Sequence, residues 1–207
     1  MRAIHTLVWH CTATPEGKEF TVEQIDAMHR ARGFKKIGYH KLIHLDGSVS
    51  QGRSEDEVGA HVAGHNVGTI GYSYVGGVTE DGKTAKDTRT DAQKATMARL
   101  TKEAVERYRL KRIVGHRDLS PDLDGDGEIE PFEWIKSCPC FQAMAEYAHL
   151  LNDDIAPPMR THVVGKGESV WSIARRYALT APVVLAANPE IPPSAIIKPG
   201  QKLWIPA

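Results

Sequence analysis

The sequence predicts an α/β domain, a mixed sheet with helices on its faces, followed by a small βααβ domain. Three observations carry this prediction. Apolar β-forming runs alternate with capped helical segments through residues 1–150. A polar stretch with a Pro-Pro pair, LLNDDIAPPMR from Leu150 to Arg160, then breaks the pattern. The remaining residues repeat strand and helix signals in a self-contained order. A chain of 207 residues has room for one good-sized core and a small second module, so the expected division is 1–150, a linker at 151–160, and 161–207.

The elements follow in order. AIHTLVWHC, Ala3 to Cys11, is a run of β-formers that reads as a buried strand. FTVEQIDAMHRARGF is a helix: Thr21 and Gln24 have the spacing of a capping box, and Gly33 supplies the stop. IGYHKLIHLDGSVSQG reads as a hairpin with Asp46-Gly47 as a two-residue turn. TIGYSYVGG, from Thr69, is a further strand. Thr90 and Gln93 cap a long helix that runs to about Arg109, RIVGH returns as a strand, and FQAMAEYAHLL has helical spacing. In the tail, Ser169 and the W-x-I-A-x-x-Y spacing start an amphipathic helix, and Pro199-Gly200 turns into a last strand.

Charge narrows the classes of function. Lys+Arg and Asp+Glu both number 26, so no global field draws the chain to nucleic acid or to an anionic membrane. The tail differs: from Arg160 onward, six Lys and Arg face only Glu168 and Glu190. No segment approaches the roughly 18 apolar residues of a membrane span, and MRAIHTLVWHCT lacks the apolar stretch of a signal peptide. The expectation is a chain made and kept in a cytoplasm, without membrane insertion. Cys11, Cys138 and Cys140 are too few for a disulfide framework, which leaves thiolate ligation or burial.

Two histidines at strand ends, His10 and His116, and Cys138 after an acidic loop form a sound donor set for zinc. A catalytic zinc keeps three protein ligands and leaves a fourth position for water, whose pKa it lowers toward about 7. Strand alternation points Cys11 away from His10, as a buried thiol. Cys140 is the rival third ligand. The acidic loop itself, DLDGDGEIEPFE, fits the EF-hand template. Asp122, Asp124 and Asp126 would bind calcium by side chains, Glu128 by its carbonyl, Glu130 through water, and Glu133 with both oxygens. Ser120-Pro121 and Pro131 depart from a normal EF-hand, so the expected calcium is structural: it orders the insert and, through Glu133 and Lys136 at i,i+3, sets the segment that ends in Cys138.

VWHCTAT around His10, IGYHKLI around Tyr39, VGAHVAGHNVGTIGYSYVGG from Val58, GHRD around His116 and KSCP from Lys136 occur in the order found in zinc-dependent N-acetylmuramoyl-L-alanine amidases. Residues 1 to about 150 resemble this type-2 amidase family, which includes amidase-type phage lysozymes and is related to peptidoglycan recognition proteins. The resemblance implies His10, His116 and Cys138 as zinc ligands, Cys138 being favoured over Cys140 by Pro139 and by its spacing to Lys136. It implies Tyr39 and Lys136 as catalytic residues. A phenol beside the metal orients water or substrate, and an ammonium steadies an oxyanion. His61 and Asn66 fall in a segment bordering the family's substrate groove. They are substrate-binding candidates, His61 either by contact or from behind the metal ligands.

VVGKGESVWSIARRYALT, LAANP and IKPGQKLWIP resemble a LysM domain, which implies binding of N-acetylglucosamine-containing glycan through loops at 167–170 and 187–191. Trp171, Ile173 and Leu185 read as core positions of that domain. Tethered to a hydrolase, such a module raises the local concentration of wall polymer. The implied protein is a monomeric endolysin that cleaves the amide between N-acetylmuramic acid and L-alanine by zinc-activated water. It would wait in the host cytoplasm and act at the wall after release. The alternative is a non-catalytic peptidoglycan recognition protein, against which the retained cysteine ligand speaks.

Overall fold

The computed structural model describes residues 2–151, 159–188, 191–192 and 195–206, so most of the linker expected at 151–160, and Pro189-Glu190 of the expected glycan loop, lie outside the described residues. The first domain contains β1 (Thr6–Cys11), β2 (Thr14–Pro15), α1 (Val22–Ala31), β3 (Lys41–Ile43), β4 (Val49–Gln51), β5 (Thr69–Tyr74), β6 (Gly77–Val78), α2 (Asp91–Tyr108), β7 (Arg112–Gly115) and α3 (Ala143–Tyr147). The mixed α/β architecture is as expected. Five strands form one sheet in the order β4-β3-β5-β1-β7, with β3, β5, β1 and β7 parallel and only β4 antiparallel, while β2 and β6 pair separately.

The caps written in the sequence are made. Thr21 and Gln24 exchange side-chain and backbone hydrogen bonds at the start of α1, and Thr90 and Gln93 do so at α2. Gly33, at a φ of 88°, supplies the left-handed turn after α1. The hairpin is the exception in detail: the His44 amide donates to Ser48 O, so the loop holds three residues, Leu45 to Gly47, instead of two. Gly47 takes the left-handed position that such a loop requires, at φ 83°.

The core lies between the sheet and α2. Leu7, Trp9 and Cys11 of β1 point into it with Ile70, Tyr72 and Tyr74 of β5 and Met97, Leu100, Ala104 and Val105 of α2. Each large apolar side chain buried here contributes about 1.5–3 kcal/mol. Val8 faces the other side with Val62 and Val114. Strand alternation therefore sends His10 to the face opposite α2 and places Cys11 in the core, as the sequence implied.

The second domain is built from β8 (Met159–Val163), α4 (Val170–Arg176), α5 (Ala181–Ala186) and β9 (Lys202–Pro206), with β8 and β9 antiparallel. Ser169 caps α4, and Val164, Val170, Ile173, Val184, Leu203 and Ile205 close a separate core. Ile173 is buried as expected and Leu185 packs against this core, but Trp171 is 41% exposed. Its neighbours Val170 and Ile173 take the inward face of a two-turn helix, which turns Trp171 outward.

Candidate metal centre and active site

Three chain segments converge at the carboxyl ends of the parallel strands, where open α/β sheets place their ligands. His10 is the penultimate residue of β1, an interior strand flanked by β5 and β7, and is 1% exposed. Next to it β7 ends at Gly115, and His116 opens a single 3-10 turn, His116–Leu119. Cys138 comes from the loop after the acidic segment.

That loop is held against β7 by groups the sequence reading did not single out. The Arg117 amide donates to Cys138 O at 2.9 Å, its guanidinium donates to Phe141 O at 2.9 Å, and that guanidinium stacks on Trp134 at 4.2 Å. Gly115 permits the close approach: a Cβ there would lie 2.4 Å from Pro139 Cδ. The signal was present in the glycine that ends a strand beside a candidate ligand, since such a glycine often marks close approach of another backbone.

His10 Nδ1 lies 3.2 Å from His116 Nδ1 and 3.7 Å from Cys138 Sγ. The Cys11 amide donates to Cys138 Sγ at 3.2 Å, an arrangement suited to a thiolate. The three donor atoms lie within 4.8 Å of one another. An ion bound tetrahedrally about 2.0 Å from nitrogen and about 2.3 Å from sulfur sets N···N near 3.3 Å and N···S near 3.5 Å, so the group fits such an ion. Burial holds His10 well below the usual imidazole range, reinforced by the nearby His61, His116 and Lys136. Burial and then the Lys136 ammonium bring His116 down to about 4. Both rings are neutral at neutral pH and have lone pairs to offer.

Cys140, the rival ligand, turns elsewhere: its Sγ donates to Gly77 O at 3.2 Å and lies 3.9 Å from Cys11 Sγ. The Tyr39 ring packs 5.1 Å from that of His10, with its hydroxyl 3.5 Å from Cys11 O. Burial, and then the neighbouring thiols, raise the Tyr39 pKa, so the phenol keeps its proton. Lys136 is exposed, with its charge felt by His10, His29 and His116.

His61 is buried against His10, and Asn66 is half-buried in the loop that carries it. His61 is 7% exposed, with Nδ1 3.0 Å from His10 Nε2 and Nε2 3.4 Å from Thr69 Oγ1. Asn66 Oδ1 accepts from the amides of His61 and Val62, closing the loop that carries His61. The signal for this burial was the pair of glycines, Gly59 and Gly71, that leave room for the ring.

In the acidic loop, oxygens of Asp122, Asp124 and Asp126 come within 4.8 Å of one another. Glu133 is buried in a short 3-10 turn, Pro131–Glu133, and its two carboxylate oxygens accept from the amides of Leu123 and Glu130. It thus clasps both ends of the loop from the inside. The Glu128 carboxylate accepts from the amide of Ala181, leaving the backbone of residue 128 as its predicted contribution.

The fold is an α/β domain that brings together, at the ends of its parallel strands, a His/His/Cys group able to hold a metal ion. The family model for N-acetylmuramoyl-L-alanine amidase matches residues 1–131, and the LysM model matches residues 162–206. The chain belongs to the N-acetylmuramoyl-L-alanine amidase family and carries a LysM domain at 162–206. It is 32% identical to the endolysin of Klebsiella phage KP32 over 132 residues, 64% of this chain and 78% of that one. Against the endolysin of Escherichia phage T7 the identity is 31%, with the same coverage. An uncharacterized Haemophilus influenzae protein is 50% identical over 97 residues, 47% of this chain and 83% of its own length. The fold matches N-acetylmuramoyl-L-alanine amidase LysC from Clostridium intestinale at a TM-score of 0.55 and 24% identity, covering 72% of this chain and 86% of that one. It also matches the peptidoglycan recognition proteins LCa and LCx, solved with tracheal cytotoxin, at a TM-score of 0.52 and 28% identity, covering 71% and 82%.

Proposed function

We propose that the chain is an endolysin-type peptidoglycan hydrolase that cleaves the amide between the lactyl group of N-acetylmuramic acid and L-alanine. The observation that carries this reading is the convergence of His10 Nδ1, His116 Nδ1 and Cys138 Sγ at tetrahedral spacing beside Tyr39. Zinc held by these three donors would supply a Lewis acid for the scissile carbonyl and for water. The chain's own groups do the rest. Neutral His10 and His116 present their lone pairs, and the protonated Tyr39 is a donor that orients the substrate carbonyl or the attacking water. Lys136, exposed on the rim, offers an ammonium to the oxyanion as the carbonyl becomes tetrahedral. His61 and Asn66 support the site from behind. The retained Cys138 separates this reading from non-catalytic recognition, which shares the fold.

The LysM domain binds the glycan, with Gly167 to Val170 as one candidate loop, and the hydrolase acts as a monomer at the wall after release from the cytoplasm. Domain limits of 1–150 and 161–207 place all three donors in the first unit. Calcium is a structural ion in this reading, bound by Asp122, Asp124, Asp126 and the Glu128 carbonyl. Each Glu133 oxygen accepts one amide hydrogen bond and keeps a second lone pair with which it can join them. Mass spectrometry of digested muropeptides tests the activity: free stem peptides with an L-alanine amino terminus are expected, and new reducing sugar ends in their place refute the amidase reading.

A further inference from the structure

Behind His10 run two side chains, His61 and Thr69, to which the chemistry above gives no step: His10 Nε2 to His61 Nδ1 at 3.0 Å, His61 Nε2 to Thr69 Oγ1 at 3.4 Å, and Thr69 Oγ1 to His65 O at 2.7 Å, with Asn66 O at 3.1 Å. The direction of every bond follows from its last member. A hydroxyl has one proton, and that of Thr69 goes to a carbonyl, which cannot donate. Toward His61 the same oxygen can therefore only accept, so His61 carries its proton on Nε2 and leaves Nδ1 as a lone pair. A lone pair facing His10 Nε2 requires a proton there. With its proton on Nε2, His10 directs the Nδ1 lone pair at His116 and Cys138.

We propose that His61 is a positioning residue: it selects the His10 tautomer, with Nε2 protonated and Nδ1 unprotonated, before any metal arrives. The inference rests on the metal-centre reading above and adds to it the group that sets one donor. The seat of the His61 ring is constructed for the purpose. A Cβ at Gly59 would fall 2.4 Å from His61 Cδ2 and one at Gly71 2.6 Å from it, so both positions must be glycine for the ring to lie where it does. The backbone of His61 is tied by its amide to Asn66 Oδ1 at 2.8 Å. His40, the other histidine against this ring, is excluded from the line. Its Nδ1 accepts from the Gly71 amide and its Nε2 donates to Glu57 O, which leaves no ring nitrogen for His61. A ligand whose other nitrogen is so fixed gives up less freedom on binding, and loss of such a partner costs about 10- to 100-fold in metal affinity.

The test compares zinc affinity, by chelator competition, in the wild type, His61→Leu and His61→Asn. Leucine fills the space with no acceptor, whereas the asparagine Oδ1 takes the place of Nδ1. The expected result is a 10- to 100-fold weaker affinity for His61→Leu, most of which His61→Asn recovers. Equal affinity in wild type and His61→Leu overturns the proposal, as does equal loss in two folded variants, which is the mark of packing alone. Should His61→Leu fail to fold, long-range nitrogen–proton NMR on metal-free wild type decides: His10 protonated at Nε2 is expected, and protonation at Nδ1 overturns the idea. Failure of the wild type to bind zinc, or release of sugar ends by the loaded enzyme, strikes the underlying reading instead.

Discussion

Gly115→Ala isolates the approach of the Cys138 loop to β7. At Gly115 φ is −88° and ψ 165°, a conformation any residue accepts, so the whole effect of the methyl comes from contact. Its Cβ would lie 2.4 Å from Pro139 Cδ and 3.0 Å from Pro139 Cγ, against an ordinary contact of 3.4 Å or more. The strand or the loop must therefore yield by about 1 Å. Overpacking of this kind costs about 1–3 kcal/mol, a fall in Tm of several degrees for a domain of this size. The larger consequence is geometric. Pro139 follows Cys138, so a 1 Å displacement moves Sγ away from His10 and His116, and misplacement on that scale costs about 100-fold in rate. Stem-peptide release from purified wall, measured beside zinc content and a thermal melt, reads all three. A variant with wild-type rate, zinc content and Tm would show that the close approach of Gly115 and Pro139 does not position the site.

Lys136→Ala should lower kcat by about 100- to 1000-fold while zinc content stays at the wild-type level, as removal of one oxyanion donor does elsewhere; an unchanged kcat removes Lys136 from the chemistry. The pH dependence of metal-free stability has a defined sign. Burial depresses His29 and His116 to about 4 and His61 to about 3, from 6.5 in the unfolded chain. The unfolded state therefore takes up more protons as pH falls below about 6.5, and stability present above that pH is lost on the way down to about 4 for His29 and His116 and to about 3 for His61. Thermal melts from pH 7.5 to about pH 5, above the range where carboxylates titrate, should show a falling Tm, and a flat profile would contradict the burial. For the acidic loop, a calcium-selective chelator in zinc-replete buffer should lower both Tm and hydrolysis, with Asp124→Ala insensitive to added calcium. No change in either quantity eliminates the ion.

Much of this was legible because the deciding interactions are local. A Thr and a Gln three apart satisfy each other's amides without help from the rest of the chain, so both long helices announced their starts at Thr21 and Thr90. The convergence of three candidate donors was legible for a different reason: His10, His116 and Cys138 each sit in a short motif whose neighbours also matter, such as Gly115 before His116. What stayed hidden depends on distant pairing. The hairpin loop gained a residue because the His44–Ser48 hydrogen bond fixes its closure, and β2 and β6, two residues each, carry no periodicity to read. The burial of His61 is set by glycines on either side of it in space, Gly59 in a loop and Gly71 in β5. The outward turn of Trp171 depends on which face of a short helix meets the second core.

β1, the first strand of this domain, lies inside the sheet, and both its partners, β5 and β7, follow it in the chain. The thiol that faces His10 lies 128 positions after it. A nascent chain emerging from the ribosome therefore displays one histidine long before it possesses a chelating pocket, and nothing short of nearly the whole first domain can capture an ion there. On the proposed reading, metal capture at this site would therefore report completion of the first domain.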